Sequence, residues 1–125
     1  MALIIQTVDG VVSNKFEITD KPLGFGRSSS NQVHIDDLAV SNEHAQILVE
    51  KNKDGNEVFI LQDLGSTNGS FINENKIDKQ QLHHNDNIRI GWNVFTFIDE
   101  NEVNLEKTRE IKKSWIPGVY YTKDK

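Results

Sequence analysis

The sequence predicts an all-β sandwich, and three observations lead to that fold class. Short runs rich in Val, Ile and Phe recur about every ten residues along the chain. Each run is bounded by Gly, Asp, Asn or Ser, the residue types that favour turns. The chain has 125 residues, which suits a single domain with one hydrophobic core. We therefore expect one sandwich of two antiparallel or mixed β-sheets, and we assign it to residues 1–100.

The strands are predicted in order along the chain. The first hairpin joins residues 2–8 to residues 11–18 through Asp9-Gly10, a dipeptide that readily adopts the positive φ angles of a tight turn. Asp54-Gly55 and Trp92-Asn93 mark two more turns. The apolar runs in AQILVE and VFILQ are nearly continuous, which is typical of central strands covered on both faces. The remaining strands are predicted at residues 23–27, 33–35, 44–50, 57–62, 70–72, 76–77, 87–90 and 94–98.

Residues 101–125 depart from this pattern and predict a short helix followed by an aromatic tail. Asn101 is suited to cap a helix over residues 102–114, and Pro117-Gly118 prevents its continuation. The tail is too apolar for a simple linker, so it either packs on the sandwich or contacts a partner. Its apolar residues are Trp115, Ile116, Val119, Tyr120 and Tyr121.

Composition excludes several classes of function. The net charge is −5, from 14 Lys plus Arg against 19 Asp plus Glu, which disfavours nucleic-acid and anionic-membrane binding. The absence of cysteine removes disulfides, thiolate zinc sites and cysteine nucleophiles. The chain has neither a basic signal-peptide start nor an apolar run long enough to span a bilayer. We therefore expect a cytoplasmic protein, and nothing in the sequence calls for a cofactor.

Three polar clusters stand in predicted loops. Arg27 follows a glycine at the end of a strand, and Ser41 and Asn42 precede the strand that begins at His44. The third cluster lies within DLGSTNGSFIN, where Asn68-Gly69 alone would be an ordinary hairpin turn. The hydroxyls of Ser66 and Thr67 exceed what such a turn needs. Loops that share one end of a sandwich meet, so these clusters can converge.

The converging groups indicate one kind of ligand. Together they offer one guanidinium, three hydroxyls and two amides, with no carboxylate among them. A guanidinium fork matches two phosphate oxygens, and hydroxyls supply further hydrogen bonds to such a group. The set therefore suits a tetrahedral dianion.

In order and spacing, these residues resemble a forkhead-associated (FHA) domain. The resemblance rests on Gly26-Arg27, on Ser41-x-x-His44 and on Gly65-Ser66-Thr67-Asn68-Gly69, and it extends over residues 2–98. It implies a β-sandwich of about eleven strands that binds phosphothreonine in partner proteins and is not an enzyme. The implied partner is a Thr-phosphorylated protein, either a kinase substrate or the kinase itself. We expect the domain to be a monomer unless the tail mediates assembly.

The resemblance also implies a role for each residue. Arg27 and Ser41 would hold phosphate oxygens, Ser66 and Thr67 would add hydroxyl contacts, and Asn42 and Asn68 would hold the partner's backbone. His44, Gly26, Gly65 and Gly69 would support these loops without touching phosphate. Ala39, two residues before Ser41, is uncharged, which favours an aliphatic over an acidic partner residue.

Catalysis and metal binding are the competing functions. A hydrolase could use Ser41 with His44, or the cluster of His83, His84 and Asp86, but the sequence lacks a nucleophile elbow. A metal site at His34, Asp36 and Asp37, or at the double histidine, lacks the usual partner spacing, so a solvated turn is the better interpretation.

Two further alternatives keep the fold. One is a phosphate-independent scaffold that binds partners through a sheet face, the helix or the tail. The other is self-regulation, in which phosphorylated Thr108, predicted to lie in the helix, would leave it to occupy the site.

Overall fold

The all-β sandwich is confirmed by a computed structural model, which describes residues 2–100. The predicted helix, the tail and Thr108 lie outside the described residues. Eleven strands form along the chain, and their bounds are β1 Ala2–Val8, β2 Val11–Ile18, β3 Leu23–Gly26, β4 Val33–His34, β5 Ala45–Lys51, β6 Glu57–Asp63, β7 Ser70–Ile72, β8 Asn75–Ile77, β9 Lys79–Gln81, β10 Asn87–Ile90 and β11 Asn93–Asp99.

The strands form two sheets. One has six strands in the order β2-β1-β11-β10-β7-β8, and the other has five in the order β4-β3-β5-β6-β9. Strands β3 and β4 are parallel, whereas β3 and β5 are antiparallel, so the five-stranded sheet is mixed. No helix within residues 2–100 has the length and apolar character needed to cross a membrane.

The core lies between the two sheets and follows from alternation along the strands. In β11, Phe95 and Phe97 are buried while Thr96 and Ile98 between and after them are half-buried. Phe25 of the opposite sheet packs on Phe95 with ring centroids 5.6 Å apart. Each such side chain contributes roughly 1.5–3 kcal/mol when it leaves water. This core fixes the strand ends from which the polar loops emerge.

Two predicted details of the strands were wrong. We expected β5 and β6 to be covered on both faces, but Leu48 and Ile60 on their outer face are only half-buried. The predicted turn at Trp92-Asn93 lies one residue earlier, because Ile90 pairs with Asn93 around Gly91 and Trp92. The Asp9-Gly10 turn is confirmed, with φ angles of 53° and 79°.

One end of the five-stranded sheet gathers the three predicted polar loops. Strand β3 ends at Gly26, and the parallel β4 ends beside it, since Gly26 is in register with His34. Strand β5 begins at Ala45, and β6 ends opposite it at Asp63. The connections at residues 27–32, 35–44 and 64–69 therefore leave the sheet at the same end.

Candidate functional site

Arg27 is held by its backbone and by one nitrogen of its guanidinium. Its amide donates to the Ser41 carbonyl at 3.0 Å, and its Nε donates to the Val40 carbonyl at 3.1 Å. Within the described chain, its two terminal amino groups have no hydrogen-bond or ion-pair partner. The guanidinium is therefore fixed in direction with a free edge, the part that would bind an anion.

Ser41 joins the second loop to the third. Its Oγ accepts a hydrogen bond from the Thr67 amide at 3.1 Å. A hydroxyl has one hydrogen to donate as well as two lone pairs, so the Ser41 hydrogen remains available. The backbone amide of Ser41 donates to Nδ1 of His44 at 3.1 Å. Ser41 is thus placed by bonds that leave its donor free for a ligand.

His44 lies fully buried behind these loops. Because Nδ1 accepts from Ser41, Nε2 carries the hydrogen and donates to the Gly69 carbonyl at 2.8 Å. The His44 amide donates to the Phe25 carbonyl, and its own carbonyl accepts from the Leu64 amide, both at 2.9 Å. His44 therefore ties the second and third loops to each other and to strand β3, and its supporting role in phosphopeptide binding stays a prediction.

Asp63 organises the third loop, and the sequence analysis overlooked it. Its carboxylate accepts from the amides of Gly65 and Ser66, both at 3.0 Å, and from the hydroxyls of Ser66 and Ser70. Burial acts to raise the pKa of Asp63, but the hydrogen bonds from Ser66, Ser70 and Gly65 outweigh it and hold the pKa below its usual value. The carboxylate is thus the charged centre of this loop.

Ser66 is used inside this loop. Its hydroxyl donates to Asp63 and accepts from the Gly69 amide at 2.9 Å, and it does not line the cavity described below. Only Gly69 of the Asn68-Gly69 pair has positive φ, at 88°. The turn is also no hairpin, because β6 and β7 belong to different sheets. Contact between Ser66 and a phosphopeptide stays a prediction.

Asn68 and Asn42 lie on opposite loops at the rim. Asn68 Nδ2 donates to the Ala39 carbonyl at 2.8 Å, which fastens the third loop to the second. The Asn42 carbonyl accepts from the Ser28 amide at 3.2 Å and from Asn31 Nδ2 at 2.8 Å. A Cβ on Gly26 would lie 2.0 Å from that carbonyl oxygen, so only glycine fits there. Asn31 was missed because a lone Asn in a Ser-rich loop has no distinctive spacing.

The three loops border an open cavity of about 280 Å³. Of the described residues that line it, Arg27 is the only charged one, and none carries a carboxylate. The structure thus brings together Arg27, Ser41, Asn42, Thr67 and Asn68, and it places Ser66 behind them. We call this space the rim cavity, and its lining residues are Arg27, Leu38, Ala39, Val40, Ser41, Asn42, Thr67 and Asn68.

The other polar clusters are used in local structure. Asp86 accepts from the His83 amide at 2.8 Å and from Asn73 Nδ2 at 2.9 Å, and His84 Nδ1 accepts from the Asp99 amide at 3.1 Å. Asp37 accepts from the Ala39 amide at 2.9 Å. No group of three or more His, Cys, Asp or Glu residues between residues 2 and 100 is arranged to hold a metal ion.

Known proteins resemble this chain in sequence and in fold. The glycogen accumulation regulator GarA of Mycobacterium tuberculosis is 28% identical over 97 residues, which cover 78% of this chain and 57% of GarA. The chain therefore spans little more than half the length of the curated relatives that it matches. An FHA domain solved in a study of phosphothreonine-dependent FHA domain interactions is 26% identical, with a TM-score of 0.66 over 79% of this chain and 97% of that one.

A third match is EmbR of Mycobacterium tuberculosis, solved in complex with a low-affinity phosphopeptide. It is 26% identical with a TM-score of 0.65, covering 78% of this chain and 24% of EmbR. The model of the FHA domain family matches residues 23–91, which contain every loop of the rim cavity. By this match and by its fold, the chain belongs to the FHA domain family.

Proposed function

We propose that this protein is a phosphopeptide-binding module that recognises phosphothreonine in partner proteins through the rim cavity. The observation that carries the proposal is the state of Arg27. Its Nε is bonded to a carbonyl, its terminal amino groups are unpaired within the described residues, and the cavity around it holds hydroxyls and amides but no carboxylate. Such a cavity is incomplete without an anion.

Each lining residue has a role in this proposal. The Arg27 amino groups and the Ser41 hydroxyl donate to phosphate oxygens, and the Thr67 hydroxyl adds a third contact. Charge-assisted hydrogen bonds of this kind are about twice as strong as neutral ones. Asn68 uses one amide hydrogen on Ala39, which leaves its Oδ1 to accept a backbone N–H of the partner. Asn42 would hold the partner's backbone from the other side.

The matched relatives support this class of function. One solved neighbour comes from a study of phosphothreonine-dependent interactions, and EmbR was solved with a phosphopeptide. GarA is described as a regulator, which fits a binding protein better than a catalyst. The partner of this chain would be a Thr-phosphorylated protein, either a kinase substrate or the kinase itself.

Catalysis is poorly served by the same residues. His44 directs Nδ1 at the backbone amide of Ser41 and Nε2 at the Gly69 carbonyl, so neither nitrogen is engaged with the Ser41 hydroxyl. A serine nucleophile needs a base within hydrogen-bond reach of its oxygen. We therefore propose a non-catalytic module that uses no metal or cofactor and acts as a monomer, unless its tail mediates assembly.

The test compares phosphothreonine, phosphoserine and unmodified peptides of one sequence by isothermal titration calorimetry. We expect wild-type protein to bind the phosphothreonine peptide best and Arg27→Ala to lose roughly 2–5 kcal/mol of binding free energy. Lys79→Ala is the matched control, because it removes the same charge from an exposed pair with Glu50 at the β9 edge. Equal binding of all three peptides would instead support a phosphate-independent scaffold.

A further inference from the structure

An apolar stripe runs along the outer face of the six-stranded sheet, on the adjacent strands β1 and β11. Ile4 and Phe97 are buried in the core, so the residues that alternate with them on these strands face outward. Val12 of β2 joins the same face, because it pairs with Thr7 of β1. We call this surface the outer stripe, and its residues are Leu3, Ile5, Val12, Val94, Thr96 and Ile98.

The outer stripe is most exposed at one end. Val12 and Val94 are 51% and 44% exposed, whereas Leu3, Ile5 and Ile98 are half-buried. The strands of residues 2–100 form only the two sheets of the sandwich, so no described element covers this face. An uncovered apolar surface of this kind tends to mark a contact site.

The outer face of the five-stranded sheet is less continuous. On β5 and β6, the apolar pair of Leu48 and Ile60 lies between the polar pair of Gln46 and Gln62 and the charged residue Glu50. A covering element would therefore bury apolar surface over a longer distance on the outer stripe than on this second face.

The outer stripe has the dimensions of one α-helix. Neighbouring strands lie about 4.8 Å apart, so two of them present a surface about 10 Å wide, and an α-helix with its side chains is about 10–12 Å in diameter. The seven residues of β11 span roughly 23 Å. The helix predicted from the sequence for residues 102–114 would be about 20 Å long. One such helix would cover the stripe from end to end.

The chain leaves the sheet at the end of the stripe where this helix would begin. Strand β11 ends at Asp99, at the half-buried end. A helix over residues 102–114 that turns back along the stripe would deliver residues 115–121 to the opposite end, beside Val12 and Val94. The sequence of that segment is WIPGVYY, the apolar part of the tail. The least covered part of the stripe and the most apolar part of the tail thus meet.

We infer that residues 101–121 fold back along the outer stripe of their own chain, with the predicted helix on the stripe and the aromatic tail against Val12 and Val94. This contact is separate from the rim cavity and does not depend on the proposed function. It adds a third layer to the sandwich and gives the apolar tail an intramolecular site.

The test is chemical cross-linking, which the absence of cysteine from the sequence makes specific. The full chain carries two introduced thiols, Val94→Cys and Val119→Cys, and is treated with a short bismaleimide. We expect intramolecular cross-linking at least about tenfold faster than for the control pair Val58→Cys and Val119→Cys, because docking raises the local concentration of one thiol around the other. Val58 lies on the outer face of the five-stranded sheet. Equal rates for the two pairs, or cross-links formed only between copies, would overturn the inference.

Tryptophan fluorescence gives a second measurement without cross-linking. Trp92 and Trp115 are the only tryptophans in the sequence, so Trp92→Phe leaves Trp115 as the single reporter. Adding Val94→Lys places a charge on the stripe, and we expect the Trp115 emission to shift to longer wavelength and to become more sensitive to acrylamide. Val58→Lys is the control and should change neither property.

Circular dichroism and thermal melting check that each variant is folded. A Trp115 emission that already indicates full exposure, or that is the same with and without Val94→Lys, would contradict docking on the stripe. Phosphopeptide binding measured on the same variants is a separate result, so phosphate recognition can stand or fail independently of the tail.

Discussion

Arg27 and Arg89 show two opposite uses of the same side chain. Arg89 Nε donates to both Glu74 carboxylate oxygens at 2.9 and 3.1 Å, its Nη1 donates to the Gly91 carbonyl, and it lies 4.1 Å from the Phe71 ring centroid. Within residues 2–100, the Arg27 side chain makes a single hydrogen bond, to the Val40 carbonyl. An anion that binds Arg27 therefore breaks no ion pair with the described residues, which keeps the cost of binding low.

Thr67 and Ser66 are adjacent hydroxyl residues with different expected effects. Thr67→Ala should lower phosphopeptide affinity by roughly 0.5–1.5 kcal/mol and leave stability nearly unchanged, because the Thr67 side chain is exposed at the rim. Ser66→Ala should instead lower the free energy of unfolding by about 1–3 kcal/mol, since Asp63 and the Gly69 amide lose their partner. Titration calorimetry and urea denaturation measure the two quantities. The same pattern in both variants would contradict this division.

Gly26 is required by close approach to the second loop. In Gly26→Ala the new methyl group would meet the Asn42 carbonyl oxygen at 2.0 Å, so residues 41–44 must move. We expect a loss of roughly 1–3 kcal/mol of stability together with a marked loss of phosphopeptide binding. Gly55→Ala, at a turn with open space and φ 80°, is the control and should lower stability without changing affinity. Unchanged affinity in Gly26→Ala would show that the loops tolerate the shift.

The third loop, residues 64–69, depends on the charge of Asp63. Because the pKa of Asp63 is lowered in the folded protein, its carboxylate contributes stability above the usual aspartate pKa and loses it as pH falls through the folded value. Asp63→Asn should therefore reduce stability at neutral pH and flatten its decline below about pH 4. Urea denaturation from pH 7 to pH 2 measures both curves. Parallel curves for the two proteins would remove Asp63 from this role.

The strands were predictable where apolar residues alternate, and not elsewhere. Strand β9, Lys79–Gln81, consists of three exposed polar residues, so it gives no periodic signal and exists only through pairing with β6. The half-buried outer face of β5 and β6 was misjudged because a continuous apolar run does not reveal which face meets the core. The local apolar pattern thus predicts where a strand lies better than it predicts which faces of that strand are covered.

The meeting of the loops was predicted correctly but partly for the wrong reason. Alternating strand directions explain why the loops of Ser41 and Asn68 meet, since β5 starts at the rim end of the sheet and the antiparallel β6 returns to it. They do not explain the position of Arg27. Only β4 separates the Arg27 loop from the Ser41 loop, and β4 runs parallel to β3. The polar residues of the rim were predicted from the spacing of their motifs. Asp63, Asn31 and Asp37 did not, because they act through contacts that are visible only after folding.

The whole molecule should lose its ligand and its fold in separate pH ranges. A phosphothreonine ligand has a second pKa near 6, so affinity should weaken as pH falls through about 6. The contribution of Asp63 to the fold persists until pH falls below about 4. Titration calorimetry with matched circular dichroism at each pH would show binding decline while the β signal persists. Affinity that is constant from pH 7.5 to pH 5 would indicate that the dianion is not the recognised form.

The passage of residues 64–69 from the five-stranded to the six-stranded sheet has one more consequence. Strand β6 enters this crossing from one layer and β7 leaves it in the other, with His44 and Asp63 fastening it at both sides. A ligand bound at the rim would therefore connect the two layers, so a saturating phosphopeptide should stabilise the whole sandwich against unfolding rather than one corner of it. Conversely, a substitution that disturbs packing between the two layers should weaken phosphopeptide binding at the rim cavity.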